Sequence, residues 1–254
     1  GGVKLVEWEL HEEGKMTENV LIWSLPIEGT HEVAASAASI SFVGGAGDFD
    51  DRGRIRNPED LGCQLRGAVE NIEAALKQEN CSLKDVIRIK TFVELSTHTD
   101  EAAVVEMLSA TLPVAPAAVI SVVPVAMQPF ADQKIQLQAI AERGWRDKPY
   151  RVEEGALKIA GVDTKDRLMV TTALRAGEFI ATANRTAAHC LENYDDSLDG
   201  AGQSHAIMNS LNASLKAVGA TLQDAVKLEG YYRGTPREQW TPLAKARASY
   251  FAEP

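Results

Sequence analysis

The sequence predicts an α+β protein of two related units, each a sheet with two helices packed on one face, and three observations carry that reading. Residues Gly62 to Glu94 recur 139 positions later as Ala201 to Arg233, with Gln64 on Gln203, Leu76 on Leu215, Leu83 on Leu222 and Asp85 on Asp224. Internal repetition of this kind sets the unit of folding. Within each copy a three-and-four apolar spacing gives way to a two-residue alternation, the periods of a half-buried helix and then a half-buried strand. Further strand patterns bracket the first copy, so the order is strand, strand, helix, strand, helix, strand, strand, which makes a layer of helices on one sheet face.

Taken in order, Val3 to Leu10 and Asn19 to Ser24 are candidate strands, with Glu12 to Glu18 a polar loop between them. Ala38 to Val43 reads as a strand running into a glycine-rich turn, Gly44-Gly45-Ala46-Gly47. That turn is not a phosphate loop, because it lacks a Gly-Lys-Ser/Thr ending and no helix starts directly after it. A plain tight turn and a small carboxylate or oxyanion site built from its backbone N–H groups are the two readings. Asp48 to Pro58 is a charged connection.

The first repeated helix carries Leu65, Ala68, Val69, Ile72, Ala75 and Leu76 on one face, and the second carries Ile207, Met208, Leu211 and Leu215. After the first, Ile87, Ile89, Thr91 and Val93 alternate with Arg88, Lys90, Phe92 and Glu94 as a strand, and the second copy is expected to do the same. Thr99 to Leu112 reads as a second helix stopped by Pro113 and Pro116, and Ala118 to Val125 and Lys134 to Ala141 as closing strands. Gly144 to Tyr150 is a short polar linker. The second unit starts near Arg151, with strands Leu168 to Leu174 and Glu178 to Ala183 and a last helix from about Pro236 to Phe251. The units are thus expected over residues 1–145 and 151–254.

The chain of 254 residues, 45% hydrophobic and 24% charged, is long enough to bury one or two ordinary cores. A net charge of −10 with no Lys/Arg cluster argues against general affinity for nucleic acid or an anionic membrane. Three cysteines, Cys63, Cys81 and Cys190, are an odd number without CxxC spacing, so neither a disulfide framework nor a zinc site is indicated. No metal or cofactor is expected. Without a long apolar run or a basic-then-apolar leader, a cytoplasmic protein is expected.

With the 139-residue offset held, Pro254 corresponds to Ala115, so no residue matches the two closing strands of the first unit. A sheet without them would leave open edges. The expectation is that a second chain, produced by cleavage after Pro254, supplies the strands; the alternative is a truncated sequence. A Thr, Ser or Cys at such a new terminus could act as an amino-terminal nucleophile.

These features resemble the Rid family, also called YjgF or L-PSP. The residues that carry the likeness are a strand ending in small residues, then Gln64 or Gln203, a helix, the Cys81-Ser82-Leu83-Lys84-Asp85 or Ala220-Thr221-Leu222-Gln223-Asp224 connection, a strand, a helix, and Pro116-Ala117 before the closing strands. The pattern covers about Asn19 to Arg143 and again Arg151 to Pro254. The resemblance implies chorismate-mutase-like units with mixed sheets, trimer-type packing in a homo-oligomer, and small-molecule sites in clefts between neighbouring units.

Members resemble one another in hydrolysing imines and enamines, with an arginine just after Pro-Ala, a glutamate in the last strand and a serine-glycine turn. This chain departs at each place: Ala118 stands for the arginine, Gln136 for the glutamate, and Gly44-Gly45 fill the turn. Alanine cannot pair with a carboxylate and glutamine cannot act as a base. In the second unit Ala183-Asn184 occupies the turn.

The candidate catalytic residues are Arg185 and Asn184, as donors to a carboxylate or carbonyl oxygen; an ordinary surface turn is the competing reading. The candidate binding residues are Tyr231, Tyr232, Arg233, His31, Gly44 and Gly45, with sheet packing the alternative for the tyrosines and a surface position for His31. His189 beside Cys190 would pair a base with a nucleophile, but neighbours in a strand point to opposite faces. Glu229 is left as buried-facing or edge-facing. The expected function is hydrolysis of C–N bonds in a small carboxylated metabolite; the alternative is a non-catalytic metabolite-binding assembly. Ribonuclease activity, sometimes ascribed to relatives, fits badly with the acidic charge.

Overall fold

A computed structural model describes residues 34–50, 53–112, 118–157, 168–191, 194, 197–232 and 237–251. The strands expected at Val3 to Leu10 and Asn19 to Ser24 lie outside them. The chain is α+β. Its first sheet is mixed, in the order β1 (Ala34–Ala37), β2 (Ile40–Ala46), β5 (Ile135–Glu142), β3 (Val86–Glu94) and β4 (Val119–Val125). β3 runs parallel to β4, and the other pairings are antiparallel. Helices α1 (Leu61–Gln78) and α2 (Glu101–Thr111) cover one face.

Each helix starts where the sequence offers a cap. Asp60 accepts the Cys63 N–H at 2.8 Å and Asp100 accepts the Ala103 N–H at 2.8 Å, each such cap contributing about 1 kcal/mol. Leu65, Ile72 and Leu76 of α1 and Leu108 of α2 then bury fully against Ile89, Ile135 and Leu137. Burial of each such side chain stabilises the fold by about 1.5–3 kcal/mol. The repeated Gln64 is a buried clamp rather than a surface residue. Its amide donates to the Asn57 and Asp132 carbonyls at 2.9 and 2.8 Å and accepts the Lys134 N–H at 2.7 Å, tying two loops to the helix start.

The second sheet is antiparallel, in the order β6 (Tyr150–Ala156), β7 (Met169–Ala176), β8 (Phe179–Thr182). Around it lie α3 (Ala187–Cys190), α4 (Gly200–Ala217) and α5 (Arg237–Ala248). α4 begins and ends 139 residues after α1, and the short 3-10 turns at Leu83–Asp85 and Leu222–Asp224 keep the same offset.

Four expectations need correction. The chain reverses at Ala38, which takes a positive φ of 56°, and not at the glycines; Gly44 and Gly45 lie inside β2, where the pairing to β5 slips between Val43 and Ala46. Glycine suits this bulge because a Cβ on Gly45 would fall 2.6 Å from the Gln136 amide nitrogen. The polar linker also carries an apolar anchor: Trp145 is fully buried, and β6 begins at Tyr150, a strand that the polar run Glu153-Glu154 conceals in the sequence. The alternation in β3 breaks at Ile87, where a register shift turns that side chain away from the helix-covered core.

The fourth correction concerns the second repeated strand. After the 3-10 turn the backbone from Ala225 to Tyr232 forms no strand, and Val226 is 99% exposed. β3 has a ladder neighbour on each side, whereas this run has none among the described residues. An extended backbone without neighbours gains no ladder hydrogen bonds, whatever its side-chain pattern.

The two sheets meet through a dry layer of Ile87, Val119, Trp145, Leu174, Ala176, Ala181 and Ala183. Three alanines, Ala176, Ala181 and Ala183, let the backbones approach closely at this seam. No helix among the described residues is long and apolar enough to cross a membrane.

Candidate functional site at the seam

The seam layer ends in polar groups at the free edge of β4. There Asn184, just past β8, extends the ladder with its side chain: its Oδ1 accepts the Val122 N–H at 3.3 Å, and its Nδ2 donates to the Val122 carbonyl at 3.1 Å. Its own backbone N–H donates to Ser121 Oγ at 3.0 Å. An amide side chain offers the donor and acceptor of a peptide group, so Asn serves here where other residues would leave the edge open.

The same Asn184 Nδ2 lies 3.4 Å from Glu101 Oε1, and Glu101 Oε2 lies 2.9 Å from His189 Nε2. Glu101 is the first residue of α2, where the helix dipole favours a carboxylate. His189 sits in α3 and not in a strand. Thr186 caps that turn, with its Oγ1 accepting the His189 N–H, and the Thr186 N–H donates to His189 Nδ1 at 3.3 Å. An accepting Nδ1 puts the ring proton on Nε2, aimed at Glu101. Glu101 is thereby held between an imidazole and an amide that come from the other sheet.

Arg185 continues the site. Its Nε reaches Ser210 Oγ, its Nη2 reaches Ser214 Oγ, both on α4, and its Nη1 reaches the Asn184 carbonyl, all at 3.3 Å. Burial pulls its pKa down, while Cys190, Glu153 and Glu101 pull the other way; an arginine stays charged under any such balance. Its hydrogen-bond partners among the described residues are neutral oxygens. A largely desolvated guanidinium whose hydrogen bonds among the described residues go only to neutral oxygens is a place for an anion.

No family model and no curated protein matches the chain. Solved structures do. RidA from the Antarctic bacterium Psychrobacter sp. is 22% identical with a TM-score of 0.38, covering 45% of this chain and 89% of its own. The likeness is to Rid-type proteins. E. coli TdcF with bound serine is 25% identical with a TM-score of 0.38, covering 46% of this chain and 90% of its own. A YjgF family member from Mycobacterium tuberculosis is 25% identical with a TM-score of 0.35, covering 43% and 84%.

Against the Rid pattern, Ala118 is buried and Gln136 packs over Gly45, so the first sheet offers neither an arginine nor a glutamate at those places. Asn184 and Arg185 lie together at the seam, and sequence reasoning passed over Glu101. Acidic residues are common at helix starts, so nothing in the sequence marked it.

The remaining candidates are placed elsewhere. Tyr231 meets Phe92 edge-on at 6.1 Å, and Tyr232 packs against Trp240 at 5.0 Å with the rings tilted by 39°. Gly44 and Gly45 are exposed in β2. His31 and Arg233 lie outside the described residues. Glu229, undecided from sequence, bonds Lys90 at 2.9 Å, Arg88 at 3.3 Å and Lys227 at 2.9 Å. Lys90 was missed, although it and Glu229 occupy the same repeat position with opposite charge, which is a signal the sequence does contain.

Proposed function

We propose that the seam is the active site of a hydrolase acting on the C–N bond of a small carboxylated imine or enamine. This reading takes residues 1–145 and 151–254 as two units whose meeting forms the site. The observation that carries it is the Glu101 carboxylate held by Asn184 and His189 beside Arg185. Arg185 binds the substrate carboxylate. Glu101 takes a proton from water as the hydroxyl oxygen bonds to the C=N carbon and the C=N pair moves to nitrogen. Protonation of that nitrogen and collapse of the carbinolamine then release ammonia and a ketone. A glutamate from one unit would thus stand in for the one that Gln136 replaces.

The test is ammonia release from imines of 2-keto acids generated in solution. Glu101→Gln should lower kcat by about 10²- to 10⁴-fold with KM little changed, and Arg185→Met should raise KM. Rates equal to wild type in Glu101→Gln would sink the reading. The second reading, metabolite binding without catalysis, is favoured by the engagement of the Asn184 amide with Val122. It predicts ligand binding that survives Glu101→Gln with no ammonia from any substrate.

A further inference from the structure

A second set of charges lies on the face of the first sheet away from its helices. Arg88, Lys90 and Phe92 alternate along β3 and so share that face. The run from Ala225 to Tyr232 crosses them as a strap. Its Glu229 carboxylate bonds the Lys90 ammonium through both oxygens, at 3.0 and 2.9 Å, and Lys90 Nζ also lies 3.4 Å from Tyr231 Oη. The Lys90 side chain is only 10% exposed.

Three features set this cluster apart from an ordinary surface ion pair. Three cations, Arg88, Lys90 and Lys227, meet one carboxylate, so the cluster carries excess positive charge. Arg88 uses only its Nη2 on Glu229, at 3.3 Å, while its buried Nε has no partner among the described residues. A guanidinium gains most from two parallel bonds to one carboxylate, which Glu229 does not supply. Finally, the strap has no ladder partner among the described residues and leaves Val226, Leu228, Tyr231 and Tyr232 exposed, so side chains alone hold it down.

We propose that Arg88 and Lys90 form a binding site for a small dicarboxylate, that Glu229 occupies it as an internal substitute, and that the dicarboxylate binds by displacing the 225–232 strap. Removing Glu229, with Lys227 leaving alongside it, exposes two cations on one strand face. Their backbone positions are about 7 Å apart, a span that a four-carbon dicarboxylate bridges with one carboxylate on each. Arg88 then gains the second bond that its Nε lacks. This site is separate from Glu101 and Arg185, so it stands or falls independently of the proposed hydrolase.

Succinate is the probe. Calorimetric titration should show binding to the wild-type chain, at least tenfold tighter binding to Glu229→Gln, in which the internal competitor is weakened, and none to Lys90→Met. Binding should weaken with added salt, and acetate should bind more weakly than succinate. Trypsin cleavage after Lys227, whose side chain is 73% exposed, should accelerate as succinate saturates the wild-type chain. Equal affinity in wild type and Glu229→Gln, or retained binding in Lys90→Met, would overturn the proposal. If a variant fails to fold, wild-type proteolysis decides alone: a Lys227 cleavage rate indifferent to succinate also rejects it.

Discussion

Gly67, in the middle of α1, shows how a single position joins sequence to packing. Asp48 is fully buried and held by Arg56 and Asn57, each at 2.7 Å. A Cβ on Gly67 would collide with the Asp48 carboxylate and the Arg56 guanidinium. Alanine is normally about 1 kcal/mol better than glycine inside a helix. Here Gly67→Ala should instead destabilise the chain by roughly 2 kcal/mol, because it displaces the buried Asp48 carboxylate from its Arg56 and Asn57 partners. A urea unfolding series checks this, and an unchanged or raised midpoint would contradict it.

At the scale of elements, β3 and the 225–232 run begin from similar repeat sequence and end differently. β3 is stitched on both sides, whereas the later run is held by Glu229 among its cations and by Tyr231 and Tyr232 against aromatic rings. Burial pushes the Glu229 pKa up, but Lys227, Lys90 and Arg88 outweigh it and hold it at about 2, against a usual 4.5. A depressed carboxylate pKa contributes stability that is present above the unfolded value and disappears as pH falls through the folded one. The thermal midpoint of the wild type should therefore exceed that of Glu229→Gln above about pH 4.5, with the gap closing towards pH 2. A gap independent of pH would show that the charge is not what holds the run.

For the whole molecule, the seam decides whether the two sheets act together. Ala183 is buried in it against neighbours that include Trp145 and Leu174. Ala183→Asp places a carboxylate in that dry layer without a partner, at a cost of several kcal/mol. The sheets should separate while the larger core of the first sheet survives, so hydrogen exchange at the β4 edge and the start of α2 should quicken and that in α1 should not. Unchanged exchange at β4 would mean that the seam does not bind the sheets. Asn184 and His189 come from one short stretch of the chain and meet Glu101 of α2 only because this layer closes.

The sequence alone determined the α+β class, both long helices and the closing strands β4 and β5, because these follow from local period within short windows. It also pointed to Asn184 and Arg185 through their repeat position. Only the tertiary structure decided where the chain turns near Ala38, that Trp145 anchors a run that reads as linker, that the second repeated strand has no ladder partner among the described residues, and that Glu101 faces His189. Each of these depends on neighbours distant in sequence. A strand exists only if another strand accepts its hydrogen bonds, and a carboxylate at a helix start becomes part of a site only when a second element brings an imidazole to it.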